Sequence, residues 1–473
     1  MAHSSLITEG SHPKTTALSH LAQADLLQAY ALLAELDHTA LDRVSEQAEK
    51  IKQLQAACFH VMDRGGRVML VGCGASGRIA AQIEHDWRFT QPNQDALISV
   101  LAGGDISLIE SVEACEDRPE YAVAQLEALA LSAADIVIAL SAGGESPFIL
   151  GALRYAQTIT QAEPWFLYCN PDALLLERHA EHPVGQAGFA LLNLTVGPMA
   201  LMGSTRMQAT TALTFALMEA LFPLGFDGKR WRAFYEKLDW SLFLPLTEWE
   251  AACHQRQEAV VYEVEAALAM PVLADMTERS PTFNLPAFPN QQDAAPILFQ
   301  YVLLSDVVGG QQFAWEALLS RPVRAFSNRI YGFDLSMDAL DFLKKIQPKI
   351  QMLRIIQKTS FLEMSFSGQK IALDLPDLSL LEIAFLLRLI CVNHSTLMMG
   401  RLGYYHGNLM TNLKPSNAKL VDRAIRFVLF LYEQEAGVVL DYNVVAKKLS
   451  EILPGLKPQE SIVFRLLSEI KTA

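Results

Sequence analysis

Cysteine is scarce and unpatterned: Cys58, Cys73, Cys115, Cys169, Cys253 and Cys391 are spread over 473 residues with no CxxC pair. This signals neither a zinc ribbon nor a disulfide framework, and free, mostly buried thiols are expected. Basic charge is also short. Lys and Arg number 38 against 52 Asp and Glu, giving a formal charge of −14, and no Lys/Arg-rich run occurs anywhere. Neutralising phosphates along a polyanion needs a basic face, so nucleic acid and anionic membranes are excluded as partners. Met1–Gly10 lacks a basic start followed by an apolar stretch, so no secretory signal is read and the cytoplasm is the expected compartment. The longest uncharged window, Val184–Thr205, reaches 22 positions, but Gly185, Gln186, Asn193, Thr195, Gly197 and Pro198 break it into a strand and a turn. His179, Glu181 and His182 are the only local group with ligand chemistry, and on a polar stretch they read as a solvated face. No metal and no cofactor are predicted.

Hydrophobic residues make up 51% and charged residues 19%, enough for large cores in two or three domains. From about residue 64, short β-branched runs alternate with helical patterns, the mark of βαβ units around a parallel sheet. Strands are expected at Val68–Val71, Ala96–Ala102, Asp135–Leu140, Trp165–Cys169 and Phe189–Leu194. Helices are expected ahead of them over Ala22–Gln53 and after them over Met207–Phe222. Further on, residues 230–268 read as helical and Pro271–Pro289 as proline-punctuated. Weak strands are expected at Ile297–Leu303, Val323–Ser327, Leu362–Phe366 and Ile371–Leu373, then long helices at Ser379–Met399 and Ala418–Gln434. The fold class is α/β, two doubly wound parallel-sheet domains flanked by helices.

Two loops carry the chemistry. The first strand runs into Gly72-Cys-Gly74-Ala-Ser76-Gly77-Arg78 and a helix, where glycines bring the backbone close to a ligand and the helix start favours an anion. The GxGxxG spacing does not mark a dinucleotide site, because the next strand ends Val100-Leu-Ala-Gly-Gly104 with no carboxylate until Asp105. The third strand ends in Ser141-Ala-Gly143-Gly144-Glu145-Ser146-Pro147, with Pro147 suited to a first helical turn. Two Ser/Gly loops on neighbouring strands suit one phosphate dianion held by hydroxyls and amides. Ser146 alone would serve as a helix cap, and Ser204, in Gly203-Ser-Thr-Arg206, reads equally as a cap or as a third donor. Ser416 reads as the cap of the last long helix. Lys419 on that helix's first turn opposes the dipole and asks for another partner, such as a ligand phosphate.

Taken together, Ile7-Thr-Glu-Gly-Ser11, Gly72–Arg78, Ala102-Gly-Gly104, Val112–Asp117, Cys169-Asn-Pro171, Val196-Gly-Pro198 with Gly203–Arg206, and Gly407-Asn-Leu-Met410 with Asn417-Ala-Lys419-Leu420 resemble the sugar isomerase (SIS) domain family. The resemblance is to the group of N-acetylmuramic acid 6-phosphate etherase and glucokinase regulatory protein, and the length is similar to the two-domain arrangement of the latter. It implies segments 1–50 (helical), 51–228 (first SIS domain), 229–410 (second, degenerate SIS domain) and 411–473 (helical). It implies phosphate binding by Gly74, Ser76, Gly77, Ser141, Gly143, Ser146 and Ser204, with Lys419 reaching in. It also implies an acid/base pair: Glu116 matches one glutamate of the etherase, and spacing after the glycine loop puts the other on Asp86. Ala274–Phe283 resembles the etherase segment that bears this acid, with Glu278 at the glutamate, although its glycine loop is missing; as a surface carboxylate it would merely cap the turn at Ser280-Pro281. The implied assembly is a pseudo-dimer within one chain. The expected function is non-catalytic sensing of a hexose or amino-sugar phosphate, with a protein partner such as a sugar kinase. The alternative is an etherase-like lyase releasing lactate, and aldose-ketose isomerisation has weaker support. Asp86 for Glu and Gln208 for Lys are departures from the etherase pattern.

Overall fold

The computed structural model describes residues 6–110, 112, 115–286, 288–293, 299–457 and 460–472. Helices α1 (Leu18–Ala24), α2 (Leu26–Ser45) and α3 (Ala48–Asp63) lead into β1 (Val68–Gly72), α4 (Gly74–Thr90), β2 (Leu97–Leu101), α5 (Pro119–Ala128), β3 (Ile136–Ser141), α6 (Pro147–Ile159), β4 (Trp165–Tyr168), α7 (Asp172–Arg178), β5 (Ala190–Asn193) and α8 (Gln208–Leu221). All five predicted strands form, in the order β2-β1-β3-β4-β5 and parallel throughout. The first four are buried along their whole length. Side chains alternate between faces with period two. Val68, Leu70, Ile138 and Leu140 therefore join one core with Ile79, Ile83 and Leu213. Met69, Val71, Val137 and Ala139 join another with Phe148, Ile149 and Leu153.

After α9 (Gly228–Tyr235) and α10 (Leu244–Gln255) come β6 (Ala259–Val264), α11 (Ala266–Phe283), β7 (Gln300–Leu304), α12 (Gly310–Leu319), α13 (Leu340–Ile346), β8 (Ile350–Gln357), β9 (Phe361–Phe366), β10 (Gln369–Asp374), α14 (Leu380–Arg401), α15 (Ala418–Ala436), α16 (Tyr442–Ile452) and α17 (Ile462–Lys471). The second sheet, β10-β9-β8-β6-β7, repeats the parallel trio of the first, with β6 between β7 and β8 as β1 lies between β2 and β3. Its far edge is the antiparallel hairpin β9–β10, so this sheet is mixed rather than wholly parallel. Helix α14 is long and apolar enough to cross a membrane, yet 94% of its apolar window is buried within the protein. A helix apolar all round belongs in a core, and α14 packs on α1, α10 and α11.

The second half departs from the sequence pattern in four places. β6 lies inside the span expected to be helical, and β8 was not anticipated. α11 runs through both Pro271 and Pro281. Its burial on nearly every side outweighs the penalty of interior prolines. Val323–Ser327 is no strand: Arg321 and Arg324 spend the segment on ion pairs with Glu84 and Asp105 of the first half. Ile297 and Leu298, from the strand expected at Ile297–Leu303, lie outside the described residues.

Candidate functional site

In a sheet of order 2-1-3-4-5, ligands bind where the strand order reverses, between β1 and β3 at their carboxyl ends. Gly72 and Leu140 are paired there, so the two Ser/Gly loops leave side by side. Gly72 must be glycine, since a Cβ would lie 2.5 Å from the Cα of Gly77. Ser76 Oγ accepts from the Ala142 N–H at 3.3 Å, and Ser141 Oγ accepts from the Gly144 N–H at 3.0 Å. With a lone pair so engaged, each hydroxyl hydrogen is oriented away from the backbone and suits an anion. Ser146 Oγ is buried with no hydrogen-bond partner among the described residues and makes no capping bond to α6. Ser204 is no cap either, because α8 begins behind Met207 without a side-chain bond.

These serines, with Gly74 and Gly143, line a cavity of about 940 Å³, and Glu116, Glu278 and Lys419 line it too. Glu278 comes from α11 in the second half. It is 3% exposed, far from the surface cap it would be in isolation, and neither carboxylate oxygen has a hydrogen-bond partner among the described residues. Burial raises its pKa against the opposing pull of the Arg78, Arg388 and Arg206 guanidiniums. Arg78 Nη1 stands 3.9 Å from Glu278 Oε1. Glu116 faces the N-terminus of α15: Lys419 Nζ lies 3.0 and 2.9 Å from its two oxygens, and Asn417 Nδ2 donates to it at 3.1 Å. Lys419 therefore meets a carboxylate here, and the cap of α15 is Asn417 rather than Ser416.

Two expected site residues fall elsewhere. Gly77 packs: a Cβ on it would lie 2.0 Å from Leu101 Cδ1, and its N–H is spent on the Cys73 carbonyl. Asp86 is 3% exposed on α4 and does not line the cavity; its Oδ1 sits 3.0 Å from His85 Nδ1. The spacing argument nevertheless had a basis. Asp86 lies twelve residues beyond Gly74, where α4 begins, as Glu278 lies twelve beyond Ala266, where α11 begins. The helices cross so that α4 brings Arg78 to Glu278 and α11 brings Ala266 O to His85 Nε2, at 3.0 Å. At the start of α11 the second half has no glycine nest; the Ala266 N–H instead donates to Asp306 Oδ1 at 2.9 Å. A carboxylate of the chain thus takes the anion position of that helix.

The motif residues without a role in the sequence reading support the cavity. Asn170 accepts from the Thr8 N–H and donates to Thr8 Oγ1 and the Gly143 carbonyl, tying the N-terminal segment to the nest loop. Glu9 pairs with Arg423 of α15 at 2.6 Å. Arg206 lines the cavity with its Nη1 2.8 Å from Asp275 Oδ1 and Nη2 2.6 Å from Thr396 Oγ1. Arg178 and His179 line its rim, both paired with Glu145. Sequence reasoning passed over these groups because ion-pair partners distant in sequence carry no local signature. Gln208, at the departure from Lys, accepts from the Ala200 N–H at 2.9 Å. His182 is not on a solvated face: it is buried and its Nε2 donates to the Gly144 carbonyl. Among the described residues no group of three or more His, Cys, Asp or Glu is placed to hold a metal ion.

The profile of the glucokinase regulatory protein N-terminal SIS domain matches residues 48–157. The N-acetylmuramic acid 6-phosphate etherase of Exiguobacterium is 34% identical over 202 residues, 42% of this chain and 64% of that one. That of Cronobacter sakazakii is 31% identical over 215 residues, 45% of this chain and 68% of that one. Among solved structures, a tagatose-6-phosphate ketose/aldose isomerase from Escherichia coli is similar over 78% of this chain and 92% of that one, at 13% identity and a TM-score of 0.47. Sheet order and relatives together define an α/β protein of the SIS type. The chain belongs to the SIS domain family, in the group of N-acetylmuramic acid 6-phosphate etherase and glucokinase regulatory protein.

Proposed function

We propose that this chain is an etherase-type lyase acting on an amino-sugar 6-phosphate such as N-acetylmuramic acid 6-phosphate. The phosphate is taken by Ser76, Ser141, Ser146, Ser204 and the amides around Gly74 and Gly143. The observation that carries the reading is Glu278: a buried, burial-raised carboxyl from the second half, facing the same cavity as Glu116 and the nest. A buried carboxyl whose pKa burial raises suits the acid that protonates the leaving ether oxygen, while Glu116, ion-paired with Lys419, suits the base that removes the proton at carbon 2. The curated relatives named etherase support this reading over the sensing function expected from length. On this reading residues 51–228 and 229–410 are the two SIS units of an internal pseudo-dimer, each sending a helix to the other.

The sensor reading retains support in the regulatory-protein match over residues 48–157 and in the Lys419–Glu116–Asn417 contacts, which hold one carboxylate. Incubation with N-acetylmuramic acid 6-phosphate separates the two. Lactate is expected to appear, and to be lost in Glu116→Gln and in Glu278→Gln. Tight binding without lactate would leave the sensor, with a sugar kinase as a fitting partner class.

A further inference from the structure

The turn Gly203–Arg206 brings Ser204 to the cavity, and the second half of the chain holds that turn on both sides. Ser204 is buried, lines the cavity and is not spent on capping α8. Ahead of the turn, the Met202 N–H donates to the Asn408 carbonyl at 2.8 Å. Behind it, the Arg206 side chain crosses to α11 and α14. Its Nη1 donates to Asp275 Oδ1 at 2.8 Å and to Ser395 Oγ at 3.2 Å, and its Nη2 donates to Thr396 Oγ1 at 2.6 Å. The ion pairs continue inward: Arg279 donates from Nε to Asp275 Oδ2 at 2.9 Å and from Nη1 to Glu250 Oε1 at 2.9 Å. Arg206, Asp275, Arg279 and Glu250 are each 3% exposed or less. Their charges alternate, so every buried ion meets an opposite one. A planar guanidinium bonded at both terminal nitrogens is fixed in orientation, and Thr210 Oγ1 fastens its backbone by donating to the Arg206 carbonyl at 2.6 Å.

We propose that Arg206 is the positioning residue for Ser204: the second half fixes the turn through Arg206 and thereby places one hydroxyl of the phosphate site. This deepens the sugar-phosphate reading of the cavity and rests on it. A binding group keeps its geometry to within about 0.5 Å only when the residues behind it are themselves locked, and here the lock is a buried ionic chain rooted in the other half. Helix α11 then serves the site twice, through Asp275 for the turn and through Glu278 three residues further on. Arg206 Nε has no hydrogen-bond partner among the described residues, so a direct contact with the ligand is the competing role. The two roles differ in how Arg206 couples to Ser204.

The test is calorimetric affinity of the folded full-length chain for inorganic phosphate, which engages the nest without the sugar. Ser204→Ala and Arg206→Met are each expected to weaken it about tenfold. Thr396→Val removes one anchor of Arg206 from a position that does not line the cavity. It is expected to cost about threefold, and it carries the test should Arg206→Met not fold. In the Ser204→Ala background both changes are expected to cost less than about twofold more, because a hydroxyl already removed cannot be misplaced. A folded Arg206→Met or Thr396→Val protein with wild-type affinity overturns the proposal. So does a loss that is undiminished in the Ser204→Ala background, which would put Arg206 on the ligand itself. Phosphate binding weakened by Ser76→Ala but not by Ser204→Ala overturns the proposal and leaves the rest of the site standing. A wild-type chain that binds neither inorganic phosphate nor N-acetylmuramic acid 6-phosphate refutes the site reading, and the proposal with it.

Discussion

Asn170 offers the sharpest test of how the nest is held. It is fully buried and touches two segments at once: its Oδ1 accepts from the Thr8 N–H at 3.2 Å, and its Nδ2 donates to Thr8 Oγ1 at 3.0 Å and to the Gly143 carbonyl at 3.0 Å. Asn170→Ala removes these three bonds, each worth about 1 kcal/mol net, together with a longer one from Nδ2 to the Ala142 carbonyl at 3.4 Å, and leaves a buried Thr8 N–H unpaired at a further cost of about 1–3 kcal/mol. After partial relaxation, a loss of about 3 kcal/mol in unfolding free energy is expected by urea denaturation. Because the Gly143 loop is half of the nest, affinity for inorganic phosphate or a sugar phosphate should fall about tenfold, or about 1.4 kcal/mol. Asn170→Asp should be worse than Ala, since it aims a carboxylate at the Gly143 carbonyl. Thr8→Val removes one bond and spares the Gly143 contact, so it should lower stability by about 1 kcal/mol with little change in affinity. Asn170→Ala with unchanged phosphate affinity would refute the claim that Asn170 shapes the nest.

Two further outcomes follow from the same geometry. Ser76→Ala and Ser141→Ala should each weaken sugar-phosphate binding by about 1–3 kcal/mol by calorimetry, because each leaves a buried amide or ligand oxygen without its partner; unchanged affinity in both would remove the nest from the site. Glu84 is held down to about 2: burial alone would raise it, but the Arg321 and Arg324 guanidiniums prevail. Since its folded value is depressed, its contribution is present above the ordinary 4.5 and is lost as pH falls from about 4.5 toward 2. That contribution is about 3 kcal/mol. Stability against pH in Arg321→Ala should show a shallower loss over that window than the wild-type curve.

The five strands of the first sheet were legible because each is a short apolar run bounded by turn residues, the first four buried along their whole length, and both nest loops were legible because Ser and Gly cluster at the strand ends. β6 escaped notice since Ala259–Val264 follows α10 with only a three-residue turn, with no glycine or proline to break the helical pattern. β8 was overlooked because Gln351 and Arg354 interrupt its apolar run and its burial alternates only around Leu353-Arg354-Ile355. The prolines of α11 read as breakers because their penalty is local, whereas the burial that overrides it comes from α4 and α14, far away in sequence. In the site, Glu116, Glu278 and the serines were found as motif residues.

The displacement of Asp86 from the cavity bears on why the second half is kept. If the two halves descend from a symmetric pair, each nest takes its acid from the other half's helix. Glu278 then belongs to the nest of β1 and β3, and Asp86 to the position at the start of α11. There Asp306 already occupies the helix terminus. A site with its anion position filled by a carboxylate has no use for a second acid reaching toward it, and a shorter residue held by His85 is tolerated. On the lyase reading the nest of β1 and β3 still needs Glu278. On that reading, a start of α11 without a nest is thus compatible with an active first site, because the second half still supplies the carboxyl from α11.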